Sequence, residues 1–267
     1  MAKRSMEWNQ NKYQRFLKEH RGCGTLQDYH PWLTIQDMPS EGRVSRIYGH
    51  KTNRIHHFFS DMETRVFYLF SWEDAVCDIR ESYPLLDLET VVRDKKGLDF
   101  SKFVDKETGT PYVFTTTFLV TLRDDDNKEH YVARTVKSAD KLQQKYILER
   151  YEVERRYWQS KGVDWGIITQ KDINVTRAKN IEWVYPALID DEMEFVTKQE
   201  LSQELLNYLQ NNDNVVRKTT AYFDTKIKLP TGTGLFLFKY LIASKSIAVD
   251  MNKEIDVNVP FSQLLLK

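Results

Sequence analysis

The feature that most constrains the fold is a pair of β-prone segments separated by a short polar turn. Residues 111–123 (PYVFTTTFLVTLR) and 130–137 (HYVARTVK) are rich in β-branched and aromatic side chains, which favour strands. The sequence DDDNKE between them is of turn type. The two segments are therefore predicted to pair as an antiparallel hairpin. A turn centred near Asp126 and Asn127 places Thr117 opposite residues 135–137.

A helix and a strand are predicted before this hairpin. Ser60 and Glu63 have the spacing of the N-cap and N3 positions of a capping box, which begins a helix. Apolar residues follow at core spacing, namely Val66, Phe67 and Phe70. Residues 75–82 then favour a strand that stops at Pro84.

The hairpin is followed by a long helical segment and another strand. Ser138 is placed to cap the helix, and Lys161 with Gly162 ends it. The side chains predicted to face the core are Leu142, Tyr146 and Val153. Residues 165–169 favour a strand, so the order is helix, strand, hairpin, helix, strand. This order predicts an α/β nuclease-like domain with a mixed sheet flanked by helices.

The sequence after residue 170 has a different pattern. The predicted elements are helices at 175–184, from Thr197, at 214–227 and from Thr231, then short strands at 246–249 and 255–259. Helices followed by a two-stranded wing are typical of a winged-helix domain. We therefore predict two domains, 1–170 and 171–267.

Charge is balanced over the whole chain but not along it. Thirty-nine Lys and Arg residues face 39 Asp and Glu residues, so the net charge gives no general attraction for phosphate. Residues 1–60 contain ten basic against five acidic side chains, and five of the six histidines. This end is the expected contact with any nucleic acid, and the basic segment 42–59 is expected to wrap an edge of the first domain. A partner is expected to supply tight DNA binding.

Two further features bear on location. No stretch approaches the roughly 18–20 apolar residues of a membrane helix, and the polar start lacks the apolar core of a secretory signal. Cys23 and Cys77 have no metal-site spacing and suggest no disulfide framework. A cytoplasmic protein is expected, with no membrane partner.

Three predicted elements bring polar residues towards one point: Glu63 on the first helix, position 117 in the hairpin and Lys137 at its end. Metal-dependent nucleases of the PD-(D/E)xK group use this layout. Carboxylate oxygens hold Mg²⁺, which activates water, and the lysine stabilises charge at the phosphate. Each residue also has a simpler explanation, because a capping-box Glu and a lysine at a strand end need no catalytic role.

Other polar groups are less suited to a site. His56 and His57 are expected to make local hydrogen bonds. Residues 124–126 lack the spaced ligands of a calcium loop and are expected to form a solvated turn. The segment 154–158 (ERRYW) is expected to be an aromatic-backed helix surface with internal ion pairs.

Four blocks of the sequence resemble the TnsA family in order and spacing. They are DYHPWLTIQDMPSEGRVSRIYGHKTNRIHHFFSDME (28–63), DIRESYPLL (78–86), LERYEVERRYWQSKGVDW (148–165) and KDINVTRAKNIEWVY (171–185). The resemblance covers most of the first 185 residues and is weaker beyond them. It implies a restriction-endonuclease-like catalytic domain followed by the C-terminal winged-helix domain of TnsA proteins.

The resemblance also implies a function in DNA transposition. TnsA is the endonuclease subunit of the heteromeric transposase of Tn7-type elements, and it cuts the 5′ strands of double-stranded DNA at transposon ends. Its metal is Mg²⁺, with Mn²⁺ as a possible substitute. TnsB cuts and joins the 3′ ends, and the ATPase regulator TnsC engages the C-terminal part of TnsA. A bacterial cytoplasmic protein that associates with the nucleoid during transposition is expected.

The family's site residues carry over one by one. Its helix glutamate falls on Glu63 and its lysine on Lys137, whereas its hairpin aspartate falls on Thr117 and its glutamine on Thr135. All four are the implied catalytic positions, and Glu63 and Thr117 are the implied metal positions. A neutral threonine hydroxyl is a poor ligand for Mg²⁺. Metal affinity and cleavage are therefore expected to be reduced.

Three functions stay open on the sequence. One is a cutting TnsA endonuclease, in which another carboxylate such as Asp99 or Asp105 serves in place of the one missing at 117. The second is a catalytically silent subunit that keeps the nuclease fold for assembly and DNA positioning. The third is a restriction-like nuclease acting alone, which the neutral net charge and the extent of the resemblance disfavour.

Overall fold

The computed structural model describes residues 7–37, 43–189 and 193–266. Gly42, at the start of the basic segment, lies outside these residues. The chain divides into two compact units, residues 1–173 and 174–267. No helix within the described ranges has the length and apolar character needed to cross a bilayer.

The first unit contains six strands and four α-helices within its described residues. The strands are β1 (Ser45–Gly49), β2 (Arg54–Phe58), β3 (Val76–Pro84), β4 (Thr115–Arg123), β5 (Glu129–Val136) and β6 (Asp164–Ile168). The helices are α1 (Gln10–Lys18), α2 (Asp61–Trp72), α3 (Leu88–Val91) and α4 (Lys145–Ser160).

The central sheet has four strands in the order β3-β4-β5-β6. Neighbouring strands are antiparallel from β3 to β5, and β6 runs parallel to β5. β4 and β5 form the predicted hairpin, and Asn127 in its turn has a positive φ of 65°. The mixed sheet and the predicted order of elements are confirmed.

The two faces of this sheet pack against different helices, because alternate residues of a strand point to opposite faces. Phe118 faces α2, and its ring centroid lies 5.6 Å from that of Phe70. Leu119 faces α4 and belongs to a core cluster with Ala133, Val153 and Trp158. The sheet is therefore covered on both sides.

The start of α4 differs from the prediction. Ser138 does not cap the helix, because its hydroxyl donates to the carboxylate of Asp140. Lys141–Gln143 then form a 3₁₀ turn, and the α-helix begins at Lys145. Tyr146, which was expected in the core, is 46% exposed. The predicted end is confirmed, since Gly162, with a φ of +67°, follows the C-cap Lys161.

The second unit is helical in its described residues. Its helices are α5 (Val175–Val184), α6 (Pro186–Ile189), α7 (Phe195–Asn211), α8 (Val216–Ile227), α9 (Thr233–Ala243) and α10 (Phe261–Leu264). Helix α9 packs against each of the helices from α5 to α8. The core side chains with no exposed surface include Leu205, Leu209, Phe223 and Leu237.

The strands predicted at 246–249 and 255–259 are wrong, because neither forms in the structure. Asp250 and Asp256 instead accept hydrogen bonds from the amides of Asn252 and Asn258, two residues further on. Such turns compete with strand pairing for the same backbone groups. An isolated bridge between Val249 and Leu265 remains. The winged-helix assignment is therefore not confirmed.

Two predicted caps in this unit are also wrong. Helix α7 begins at Phe195, ahead of Thr197. Helix α9 is capped from a distance, because the buried carboxylate of Asp224 accepts from the amides of Gly232 at 2.7 Å and Gly234 at 2.6 Å. An acceptor supplied by α8 leaves Thr231 no capping role.

Candidate active site

Glu63 lies in the first turn of α2, where the predicted capping box is formed. Its amide donates to the hydroxyl of the N-cap Ser60 at 3.2 Å, and its carboxylate Oε2 accepts from the amide of Phe59 at 2.7 Å. Burial raises the pKa of Glu63, and the hydrogen bonds from Phe59 and Ser60 oppose that rise. Glu63 therefore takes part in capping α2.

Thr117 lies where β4 and β5 separate. Regular pairing of these strands ends at Phe118 and Arg134. The hydroxyl Oγ1 of Thr117 then accepts a hydrogen bond from the amide of Val136 at 3.0 Å. Ser82 on β3, between the residues paired with Phe118 and Thr116, has a positive φ of 47°. The side chain of Thr117 thus accepts the hydrogen bond from β5 that a backbone carbonyl of β4 accepts where the pairing is regular.

Lys137 directly follows β5. Its amide donates to the carbonyl of Ile168 at 2.9 Å, which extends the pairing with β6 by one residue. Its positive charge is one of the causes that lower the pKa of Glu63 against the effect of burial. Thr117 touches the residue before Lys137, and Lys137 acts electrostatically on Glu63. The structure therefore brings these three predicted positions to one end of β5.

Thr135 takes part in a different set of contacts. Its buried hydroxyl donates to Oε2 of Glu154 at 2.7 Å and accepts from Nε1 of Trp165 at 3.3 Å. Thr116 donates to the same Glu154 oxygen at 3.2 Å. No hydrogen bond joins Thr135 to Glu63 among the described residues. The hydroxyl of Thr135 is occupied on the α4 side of the sheet.

Glu154 is the residue in this region that the sequence interpretation missed. It has no exposed surface, and burial raises the pKa of its carboxyl group against the charge of Arg150 and the hydroxyl hydrogen bonds. The following Arg155 and Arg156 form the predicted surface ion pairs, both with Glu152. The available signal was helical spacing, since Glu154 lies three residues after Tyr151 and four before Trp158, both buried.

Glu81 is a second buried carboxylate, on β3. Its oxygens accept from the guanidinium of Arg54 at 2.8 and 2.6 Å, lie 2.8 Å from Nδ1 of His56, and accept from the amide of His57 at 3.2 Å. Burial acts to raise its pKa, but His56 and Arg54 outweigh that effect and lower it well below the usual range. The hydrogen bonding predicted for His56 is confirmed by its ring contacts with Thr52 and Glu81, whereas the ring Nδ1 of His57 has no hydrogen-bond partner among the described residues.

The carboxylates near the hairpin do not assemble a metal site. Within the described ranges, no group of three or more His, Cys, Asp or Glu residues could hold a metal ion. Asp99 accepts from the amide and hydroxyl of Ser101, and Asp105 accepts from the amide of Thr108, so each stabilises its own loop.

The remaining carboxylate supply is too small for Mg²⁺. Glu81 is engaged by Arg54 and His56, and Glu154 by two threonine hydroxyls. Glu63 is left with a neutral hydroxyl at 117 that already accepts from a backbone amide. Hard cations such as Mg²⁺ require several oxygen ligands, with carboxylates among them. The residues present therefore do not fit a Mg²⁺ site.

Comparison with known proteins identifies the family. Residues 73–170 match the family model described as TnsA-like endonuclease N terminal, and residues 172–251 match TnsA endonuclease C terminal. The chain is also 36% identical to the Transposon Tn7 transposition protein TnsA of Escherichia coli, over 97% of this chain and 92% of that protein. The chain belongs to the TnsA family.

Membership of the TnsA family confirms the resemblance predicted from the four sequence blocks. It places the chain in an endonuclease family, for which a divalent metal requirement is the natural expectation. That expectation contrasts with the local geometry, because the TnsA-like fold is present while position 117 carries a hydroxyl. Membership of the family therefore does not by itself establish that this chain binds a metal.

Proposed function

We propose that this protein acts in DNA transposition as the TnsA subunit of a Tn7-type transposase, and that it positions transposon ends without cutting them. Family membership supports the first part. The observation that carries the second part is the hydrogen bond from the amide of Val136 to the hydroxyl of Thr117, at the position where a carboxylate is required. Glu63 alone is too small a ligand set for a divalent cation.

The proposal assigns different partners to the two parts of the chain. Residues 1–170 form a nuclease-like domain that contacts double-stranded DNA at the transposon ends. Residues 171–267 form the C-terminal domain that engages TnsC. TnsB supplies cutting and joining of the 3′ ends. The assembly is cytoplasmic and associates with the nucleoid during transposition.

A second candidate function is cutting of the 5′ strands by this chain itself, with Mg²⁺ or Mn²⁺ as the metal. The observation that favours it is the retention of Glu63 and Lys137 at one end of β5, where the charge of Lys137 acts on Glu63. The ammonium of Lys137 makes no ion pair with the described residues, so it is available to stabilise negative charge on a phosphate. Thr117 and Thr135 occupy the two other positions implied by the family.

Strand-resolved cleavage of transposon-end DNA, with TnsB and TnsC present, separates the two candidates. The unaltered chain is compared with Thr117→Asp, with Thr117→Asn as the neutral control of matched shape, and with Lys137→Ala. We expect only 3′ cuts from the unaltered chain and from Thr117→Asn. Thr117→Asp is expected to produce 5′ cuts that neither of those two chains makes, because it restores an anionic ligand.

The opposite pattern would favour the second candidate. Cuts of the 5′ strands by the unaltered chain that disappear in Lys137→Ala would mean that the protein is a working nuclease. Calorimetric titration with Mn²⁺ gives an independent readout. Binding is expected for Thr117→Asp and not for the unaltered chain, and equal binding by both would contradict the proposed silence of the site.

A further inference from the structure

The strands β1 and β2 form a two-stranded ribbon that is separate from the central sheet. Its pairing places Arg46 opposite His57 and Tyr48 opposite Ile55. The buried side chains of β2 are Arg54, His56 and Phe58. Since side chains alternate between the two faces of a strand, the ribbon presents Arg46, Tyr48, Ile55 and His57 on its outer face.

The inner face of the ribbon is fixed to the body of the first unit. Arg54 donates two hydrogen bonds to Glu81, and the ring of His56 lies 4.7 Å from that of Phe67. At the turn, the ammonium of Lys51 donates to the carbonyl of Val76 at 2.7 Å. These contacts hold the outer face in one orientation before any partner arrives, which lowers the entropy cost of binding.

The segment that contains the ribbon is basic, although the whole protein is neutral. Residues 43–60 contain four Lys or Arg and three His, but no Asp or Glu. Arg54 and Lys51 are engaged by the inner contacts. Arg43 and Arg46 are exposed, and neither guanidinium forms an ion pair or hydrogen bond within the described parts of the chain.

Two other exposed arginines of the first unit behave differently. Arg123 pairs with Glu129 at 2.7 Å, and Arg155 pairs with Glu152 at the same distance. Their charge is therefore offset by a neighbouring carboxylate, whereas no carboxylate of the described residues pairs with Arg43 or Arg46. An external anion is the simplest counter-charge for the ribbon.

Apolar groups accompany these free cations. Tyr48 is 42% exposed and Ile55 is 52% exposed, and the two lie directly opposite each other on the outer face. Cations beside a flat apolar surface suit a ligand that offers both phosphates and the sugar and base edges of a nucleic acid.

We propose that the outer face of the β1–β2 ribbon lies in the major groove of duplex DNA, which is wide enough to admit a two-stranded β-ribbon. Arg43 and Arg46 contact phosphates, and Tyr48 and Ile55 face the groove. The inference rests on the proposed role at transposon ends. It also gives the role a geometry, because β2 leads through Phe59 directly into the capping box of Glu63. DNA bound to the ribbon is thereby placed near the end of β5 at which Glu63 and Lys137 lie.

Duplex binding by the full chain tests this proposal. Fluorescence anisotropy with a labelled duplex is followed over a range of salt concentrations, in a chelator so that cutting plays no part. The double variant Arg43→Ala/Arg46→Ala is compared with Arg123→Ala/Arg155→Ala, which removes the same charge outside the ribbon. Tyr48→Ala tests the apolar contribution.

The ribbon double variant is expected to bind the duplex about tenfold more weakly. Its slope of log affinity against log salt should fall by about two, because each phosphate contact releases about one counterion. Tyr48→Ala should weaken binding a few-fold without changing the slope. The control double variant should match the unaltered chain, and thermal unfolding should be unchanged in all variants because the substituted side chains are exposed.

Three results would overturn the inference. An equal loss in both double variants would mean a general charge effect. Undetectable duplex binding by the unaltered chain would also contradict it, while transposition with the partner subunits would still support the proposed function. If the ribbon variants bind duplex normally but lose binding to a partner transposase subunit, the ribbon is a protein-docking surface instead.

Discussion

Three carboxylates of the first unit, those of Glu81, Glu154 and Glu63, lie in two regions with different properties. Glu81 and Glu154 are wholly buried. Both oxygens of Glu81 accept from Arg54, whereas only Oε2 of Glu154 accepts, from two threonine hydroxyls, and its Oε1 has no hydrogen-bond partner among the described residues. At the end of β5, by contrast, Glu63 shares its surroundings with a hydroxyl and an ammonium. Glu81 and Glu154 are thus used inside the fold, and the end of β5 has fewer carboxylates than a Mg²⁺ site requires.

The two buried carboxylates also differ from each other. Glu81 binds a guanidinium through both oxygens, so its charge is matched by a charge. Glu154 accepts from two hydroxyls, and Nε of Arg150 lies at 3.6 Å from its other oxygen. Burial therefore dominates at Glu154 and not at Glu81, which is why their pKa values move in opposite directions.

The largest effect is expected from Glu81→Gln. This change leaves the buried guanidinium of Arg54 without a counter-charge, and breaking such a pair costs about 3–5 kcal/mol. The free energy of unfolding, measured by urea denaturation, should fall by that amount. The double variant Arg54→Met/Glu81→Met should recover most of the loss, because it removes both charges. A loss below about 1 kcal/mol for Glu81→Gln would contradict the conclusion that Arg54 needs the charge of Glu81.

A smaller, pH-dependent effect is expected at Glu154. Because burial raises its pKa in the folded state, the protonated form is the one that folding favours. The stability it contributes is complete below the usual glutamate pKa of 4.5 and is lost as pH rises through the raised value. Glu154→Gln imitates the protonated form, so its stability relative to the unaltered chain should increase with pH, on the order of 1 kcal/mol.

Glu152, on the same helix, provides a control of opposite sign. Hydrogen bonding from Arg155 and then Arg156 lowers its pKa to about 2. Its contribution is therefore present above pH 4.5 and lost as pH falls towards 2. Urea denaturation of Glu152→Gln over the same pH range should show no gain at higher pH. Parallel curves for the two variants would mean that burial does not raise the pKa of Glu154.

The smallest effect is expected at Glu63. Glutamine also serves at the N3 position of a capping box, so Glu63→Gln should change the free energy of unfolding by less than about 0.5 kcal/mol. Glu63→Ala, which loses the contact with Phe59, should cost about 1 kcal/mol. A cost for Glu63→Gln comparable to that for Glu81→Gln would show that Glu63 belongs with the structural carboxylates.

The sequence predicts what short-range patterns control. The hairpin and the capping box of α2 follow from local residue types, and α5 begins and ends where predicted. The same reasoning predicts that Thr117 approaches the end of β5, because the hairpin register depends on the turn. Position along a regular element was enough for these conclusions.

Polar contacts between residues distant in sequence could not be predicted from these short-range patterns. Arg54 meets Glu81 across 27 residues, and Thr116 meets Glu154 across 38. The charged residues around Glu154 resemble a solvated helix face, although spacing relative to Tyr151 and Trp158 places that carboxylate inward. In the second unit, Asp224 replaces the expected cap of α9 from another helix. These misses concern groups whose partners are distant in sequence, whereas the missed cap at Ser138 and the missing wing strands involve partners only two residues away.

The hydrogen bond between Thr117 and Val136 has a consequence for how such proteins diverge. A carboxylate oxygen at the same place would accept that amide equally well, so the separation of the strands is indifferent to which residue supplies the acceptor. Under the proposed function, this residue therefore determines cutting without affecting folding. Exchange of threonine and aspartate here would remove or restore the cutting step without a change of fold.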